Sequence, residues 1–331
     1  MKKTLIALAV LGSVAGVAQA QSAVTIYGKL DLGVTKLSGD ASDAAKATKL
    51  QGNHSSRLGF KGTEDLGGGL SALFQFENRF NADTGTQAGD ALFSGPAYVG
   101  LAGGFGSVKL GRNWSTVDSV SSAAIDPFEG DGIGGLNALT RARINNSVTY
   151  YTPEFSGFGA QAQYILGEQP AGAVAAGTDN DGYAVAATYN NGPIYLGLGY
   201  GREENSNDSD VWGVSGSYAF GPAKIALGYD QRENEEVPNT EKTKNLVVAG
   251  TYEIGAGLVK AAYNQTRDGA DNTAITGFSG TFDKIQKVSI GYQHNLSKRT
   301  SLYADIARTK VTNPGVSDTA NGVGVGVTHN F

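Results

Sequence analysis

The sequence predicts an all-β protein, a 16-stranded antiparallel transmembrane β-barrel, and three observations carry that reading. Apolar and polar residues alternate with period two in runs of about ten residues from Val24 to the C-terminus, while helical periodicity is nearly absent. The connections between runs alternate in length, as they do where short periplasmic turns and long external loops join barrel strands. Aromatic residues stand on the apolar face beside the short connections, where an interfacial belt belongs.

The first run, 23–37, places Val24, Ile26, Leu30, Leu32 and Val34 on one face and Thr25, Tyr27, Lys29, Asp31 and Thr35 on the other. Runs at 54–62, 70–80, 92–101 and 107–112 follow, then 141–152, 158–166, 182–190, 194–202, 211–220 and 223–232. The last five are 244–254, 258–267, 284–295, 300–309 and 320–331, making an even total, as a closed barrel prefers. In the final run Val323, Val325, Val327 and Phe331 oppose Gly322, Gly324, Gly326, Thr328 and Asn330. Short connections such as 63–69, 102–106, 153–157 and 221–222 interleave with long polar ones such as 37–53, 81–90, 168–181, 268–283 and 310–319. The longest, 113–140, contains Gly130, Gly132, Gly134 and Gly135. A soluble β-sandwich also alternates, but nothing in it would gather Tyr150, Tyr189, Tyr218, Phe220, Tyr252, Tyr292 and Phe331 at strand ends. A β-solenoid would need a repeated motif at fixed period, which is absent.

Composition narrows the classes further. The 331 residues include 48 glycines without a Gly-X-Y period, an apolar fraction of 40%, and no cysteine. Disulfides, thiolate metal sites and thiol catalysis are thereby excluded. With 26 basic against 31 acidic residues the net charge is -5, which leaves no basic excess for nucleic acid. Residues 1–20 read as a secretory signal, with Lys2 and Lys3, an apolar run at 5–17 and Ala18-Gln19-Ala20 as the cleavage site. The barrel would then occupy 21–331, where no apolar stretch approaches the roughly 20 residues of a membrane helix.

Several motifs carry a resemblance: Ile26-Tyr27-Gly28-Lys29, the run from Ser56-Arg57-Leu58-Gly59-Phe60-Lys61 to Leu70, Leu110-Gly111-Arg112-Asn113, the run from Asn146-Ser147-Val148-Thr149-Tyr150-Tyr151 to Phe158, and the final His329-Asn330-Phe331. Over the whole mature chain they resemble the Gram-negative general porins of the β-proteobacterial, Neisseria and Burkholderia type. The resemblance implies a homotrimer of barrels in the cell outer membrane, among outer-membrane lipid and lipopolysaccharide. Each barrel would be a water-filled channel for passive diffusion of ions and small hydrophilic solutes, narrowed by a third external loop folded into the lumen. No cofactor is expected, and the clusters Asp40 with Asp43 and Asp179, Asn180 and Asp181, which could offer oxygen ligands to calcium, read instead as solvated loop tips because they lack a liganding spacing, so no metal is expected.

A filter in such a pore needs charge at mid-height on the lumen face. Strand parity turns Lys29, Arg57, Arg79, Lys109, Arg141 and Arg143 inward, and Lys260 and Lys287 too, without motif support. By resemblance to the basic cluster of general porins, Lys29, Arg57, Arg112 and Arg143 are the expected basic side. Strict alternation would aim Arg112 into lipid unless a kink at Gly111 redirects it. The acidic side is expected from Asp118, Asp126, Glu129 and Asp131 in the long loop, with the acid that reaches the constriction left open. Where many relatives carry an arginine before Ala97-Tyr98-Val99-Gly100-Leu101, this chain has Gly95-Pro96, which weakens the case for strong anion selectivity.

Two other functions compete. A hydrolase would need a nucleophile beside a base, and His54, His294 and His329 have no Ser/Asp pattern around them. A substrate-specific sugar or anion channel would want stacked lumen aromatics, and Tyr27, Tyr151, Tyr195 and Tyr303 fall on distant runs. Small residues Gly28, Gly33, Gly322, Gly324 and Gly326 in the first and last runs suggest thin walls where subunits meet. Phe331, by resemblance to outer-membrane proteins generally, is an assembly signal for the barrel-assembly machinery.

Overall fold

The computed structural model describes residues 23–40, 46–89, 91–139, 143–167, 181–203, 209–234, 242–271 and 281–331; the signal segment, Asp43, Arg141, Asp179 and Asn180 lie outside the described residues. The strands are β1 (Ala23–Gly39), β2 (Lys49–Gln51), β3 (Ser56–Gly67), β4 (Leu70–Phe80), β5 (Ala97–Gly103), β6 (Gly106–Trp114), β7 (Arg143–Tyr151), β8 (Phe158–Ile165) and β9 (Gly182–Asn191). They continue as β10 (Ile194–Glu203), β11 (Ser209–Phe220), β12 (Ala223–Asn234), β13 (Thr243–Ile254), β14 (Gly257–Asp271), β15 (Thr281–Asn295), β16 (Thr300–Asn313) and β17 (Val316–Asn330). All 17 belong to one sheet.

One edge of β1 pairs with β17, from Lys29↔Asn330 to Gly39↔Ala320. Its other edge pairs with β3 over Ala23–Lys29 and with β2 over Gly33–Thr35. β2 and β3 are thus one stave interrupted at 52–55, and the barrel closes with sixteen staves, every neighbouring pair antiparallel. Closure leaves no unpaired edge, which is what permits a sheet to stand in hydrocarbon.

Alternation sorts the faces as the sequence implies. Val24, Ile26, Leu30, Val34, Val323, Val325 and Val327 are exposed on the outside, while Lys29, Asp31 and Thr35 are buried inside. Phe155, Phe158, Tyr218, Phe220, Tyr252, Tyr292 and Phe331 are exposed beside the short turns or at the chain end. The seam glycines correct an expectation. A Cβ on Gly33 or Gly326 would strike the Tyr303 hydroxyl, at 2.6 and 2.3 Å, and one on Gly322 would meet Ile133 at 3.0 Å. These positions make room for side chains inside the barrel and are not thin walls for a neighbour. The long connection expected at 310–319 is also absent: β16 and β17 form a hairpin turning at Pro314 and Gly315, whose φ of +76° suits glycine.

The loop after β6 supplies the core of the interior. Two short 3-10 turns, Asp118–Val120 and Ser122–Ile125, open it. Phe128 is fully buried among Ile125, Leu136, Ala226, Val247, Ala249 and Ala262. Ile133 packs on Leu37 and Ala320, and Val117 on Ala184 and Val211. The wall is cut back to receive it: a Cβ on Gly199, Gly213, Gly228 or Gly291 would lie within 3 Å of Val120, Ser121, Ser122 or Phe128. Polar ties fix the fit. Ser122 N donates to Asp230 at 2.9 Å, Ser215 Oγ to Val120 O at 2.7 Å, Ile133 N to Asn53 Oδ1 at 2.7 Å and Asn137 N to Asn264 Oδ1 at 3.2 Å. Lys287 Nζ donates to Gly135 O. Each such bond contributes about 0.5–1.5 kcal/mol, so the loop is held at many points around the wall.

Candidate pore constriction

Register brings three cations into one row. Lys29 on β1 stands opposite Arg57 on β3, and Arg57 opposite Arg79 on β4. Like charges directly opposite each other are unfavourable in a sheet, and two carboxylates offset them. Glu129, from the loop, lies 2.6 Å from Lys29 Nζ and 3.9 Å from Arg57. Glu77, on β4, lies 3.2 Å from Arg79 Nε and accepts the Tyr27 hydroxyl at 3.1 Å. The Glu129 side chain is 57% exposed against 9% for that of Lys29, so its charge still faces the aqueous path.

Glu129 holds a φ of +60°, uncommon for a residue with a side chain. Its neighbours explain the posture. Asp126 accepts the backbone N–H groups of Phe128, Gly130 and Leu136 at 2.8–3.0 Å, and Asp131 accepts the Ser55 N–H and hydroxyl at 3.1 and 2.9 Å. These two acids brace the loop on either side of Glu129. Burial would raise the Glu129 carboxyl, but Lys29, His54 and Arg57 outweigh it and hold the group below the usual carboxylate range. Burial pushes Asp126 up, against its N–H donors and Lys287.

The other two basic residues sit differently. The β6–β7 register shifts between Gly111 (φ +130°) and Asn113, opposite Asn146 (φ +52°). In this bulge Arg112 donates to Ser94 O, Gly95 O and Asn145 Oδ1 at 2.5–3.3 Å, clasping the backbone ahead of β5. Arg143 lies over the Trp114 ring at 4.3 Å, with Arg79, Glu77, Arg112 and Asp118 as its charged neighbours. Of the four loop acids, Glu129 is the one that meets the Lys29–Arg57 row. Pro96 falls just outside β5, its carbonyl accepting Glu77 N–H at 2.9 Å.

Sequence reasoning passed over Glu77 and Asp31. Both have the inward parity of Arg79 and Lys29, which was the available signal. Asp31, fully buried, receives the Tyr303 hydroxyl at 3.0 Å and the backbone N–H groups of Asn53 and His54 at 2.6 and 3.0 Å, and so ties the interrupted stave to β16. The lumen tyrosines also gather more than their spacing suggested. Tyr98 joins Tyr27 and Tyr151 on the contiguous β1–β7 wall.

A closed barrel with an apolar exterior, a charged interior and a loop packed inside is the architecture of a channel-forming outer-membrane protein. A family profile for Gram-negative porins matches residues 7–314, and the chain belongs to that family. It is 34% identical to outer membrane porin protein 32 of Delftia acidovorans over 94% of this chain and 90% of that one. It is 32% identical to an outer membrane porin of Bordetella pertussis over 100% of both. Among solved structures, an anion-selective porin from Comamonas acidovorans superposes with a TM-score of 0.76 at 29% identity, covering 94% of this chain and 100% of that one. The trimer form of OmpT from Vibrio cholerae gives 0.67 at 20% identity, covering 94% and 99%, a likeness of fold. This chain is accordingly an outer-membrane porin, a channel for diffusion of ions and small hydrophilic solutes; the family and fold are those of channels rather than enzymes.

Proposed function

We propose that the Lys29–Arg57–Arg79 row, faced by Glu129 and backed by Arg112 and Arg143, is the selectivity filter of this porin, with a mild preference for anions. The observation that carries the reading is the register: three cations at adjacent wall positions, with one loop carboxylate reaching two of them, Lys29 and Arg57. Glu77 and Glu129 neutralise part of the row, and Gly95-Pro96 stands where many relatives have a further arginine, so the preference is weaker than a purely basic ring would give. Replacing both Arg57 and Arg143 by glutamate should move the reversal potential toward cations while conductance persists. The shift should grow as salt falls, because the screening length rises from about 8 Å at physiological ionic strength to about 30 Å at 0.01 M. An unchanged reversal potential at low salt overturns the assignment.

Residues 1–20 are proposed to be removed on export, and the barrel to assemble as a homotrimer. A patch on the outer faces of β3 and β4 supports assembly: Phe60 stacks on Phe76 at 5.1 Å, Phe74 lies 6.1 Å from Phe76, and Phe93 meets Phe76 edge-on at 5.1 Å. This cluster continues away from the short-turn belt toward the loop after β4, where a subunit contact would use it. A monomer mass in mild detergent, with monomer migration on unheated gels, overturns the trimer.

A further inference from the structure

We propose that this channel carries a binding subsite for aromatic monocarboxylates on the wall formed by β1 and β3–β7, on the short-turn side of the filter. The proposal rests on the channel reading above and goes beyond passive diffusion. Its position follows from register. Tyr27 on β1, Lys61 on β3 and Gln75 on β4 each lie nearer the short-turn end of their strands than Lys29, Arg57 and Arg79. An anion leaving the filter inward meets them next.

The wall is built of alternating phenol rings and ammonium groups. Lys61 Nζ lies 5.3 Å from the Tyr27 ring centre, and Lys109 Nζ lies between two rings, 4.7 Å from that of Tyr98 and 4.6 Å from that of Tyr151. Tyr27 is laid against the wall over Gly59, where a Cβ would come 2.2 Å from the ring. Tyr98 donates to Gln75 Oε1 at 3.0 Å, and Gln75 Nε2 donates to the Tyr27 hydroxyl at 2.6 Å, so the rings are tied to one another. Lys61 is exposed and the remaining groups are half-buried, open to the lumen.

Among the described residues neither lysine has a carboxylate partner. Cation–π contact holds an ammonium in place without neutralising it. The Tyr151 hydroxyl accepts Asn113 Nδ2 at 3.0 Å, which leaves its own proton for an incoming acceptor. Lys109 and Tyr151 therefore present a charge and a donor to one carboxylate, and the flanking Tyr98 and Tyr27 rings offer faces for a planar apolar body. A sugar would need acceptors as well as donors beside the stacking ring, whereas Gln75 Oε1 already accepts from Tyr98 and the Tyr27 hydroxyl from Gln75. The free chemistry of the wall is positive charge and π surface, which suits a carboxylate on an aromatic ring.

Chloride conductance of the intact channel in planar bilayers, with benzoate, cyclohexanecarboxylate or acetate added on the short-turn side, tests this. Benzoate should half-block at about tenfold lower concentration than cyclohexanecarboxylate, which has the same charge without the ring electrons, and acetate should be weakest. Lys109→Met should weaken block by both ring acids, Lys109→Arg should retain it, and Tyr98→Leu should bring benzoate level with cyclohexanecarboxylate, each block being referred to that variant's own chloride conductance. Equal block of the unaltered channel by the two ring acids overturns the proposal without any variant. So does benzoate block that is indifferent to Lys109→Met. Absence of any conductance would instead count against the channel reading itself.

Discussion

Glu129 concentrates the chemistry of the filter in one side chain. A left-handed backbone at a residue with a Cβ costs about 1–3 kcal/mol and persists only where the surroundings over-determine it. Here Asp126 and Asp131 do so, and the result is a carboxylate delivered onto Lys29 at 2.6 Å. Because the pair remains open to water on the Glu129 side, its contribution to stability is small, about 0–1 kcal/mol, and its effect belongs to selectivity. Glu129→Gln should leave the barrel intact and shift the reversal potential toward anions, most clearly at low salt. The folded state holds the Glu129 carboxyl below its ordinary value, so the charged form is favoured on folding. The tie is therefore fully present above the usual glutamate pKa of about 4.3 and is lost as pH falls through the depressed value. Reversal potential measured against pH should be flat from neutrality to about pH 5 and move toward anions only in stronger acid; an early drift near pH 6 would place a different group in control.

The loop between β6 and β7 owes its shape to groups that sequence inspection does not rank. Asp126 reads as one acid among four, yet it accepts on both oxygens, Oδ1 from Phe128 N–H and Oδ2 from Gly130 and Leu136 N–H. Asp126→Asn puts an amide NH2 against at least one of these donors, at about 1–3 kcal/mol, and should give noisier, wider channels in single-channel records while heat stability of the barrel is little changed. Deleting 123–137 should enlarge the channel outright and speed uptake of bulkier solutes in vesicle swelling, since Asn245 and Asn264 on the wall would lose Asn137 and meet water instead. Unaltered swelling rates would place the constriction elsewhere. The strands themselves were legible because membrane-facing residues must be apolar at every second position, as in Val323, Val325 and Val327. Legibility ended where the bilayer does: Lys310, Thr312, Ser317 and Asp318 pair within the β16–β17 hairpin but carry no apolar face, and so read as loop. β2 was invisible for the same reason, with Lys49 and Gln51 flanking one leucine. The wall glycines facing the loop were equally opaque, because nothing in a lone Gly228 or Gly291 says which side chain will fill the space above it.

At the scale of the whole molecule the last residue closes the barrel. Phe331 N–H donates to Gly28 O at 3.1 Å, and Gly28 N–H donates to a terminal Phe331 oxygen at 3.0 Å, extending the β1–β17 ladder by one step beyond Lys29↔Asn330. The ring lies over Gly28 on the outer face, where a Cβ would come 2.3 Å from it and 2.6 Å from Arg57 O, so Gly28→Val must displace both ring and backbone and should lower the melting temperature measurably. Removing Phe331 is a milder insult. It deletes two hydrogen bonds and one half-exposed ring, a few kcal/mol at most, and leaves the register from Lys29↔Asn330 to Gly39↔Ala320 in place. The same residue is our proposed signal for the assembly machinery, which must recognise the chain before any ladder exists. Deletion of Phe331 should therefore reduce outer-membrane yield in cells far more than it lowers the melting temperature of detergent-refolded protein. Yield and thermal stability measured on the same deletion decide the matter: equal losses, or an unaffected yield, would reduce Phe331 to a structural residue of the seam.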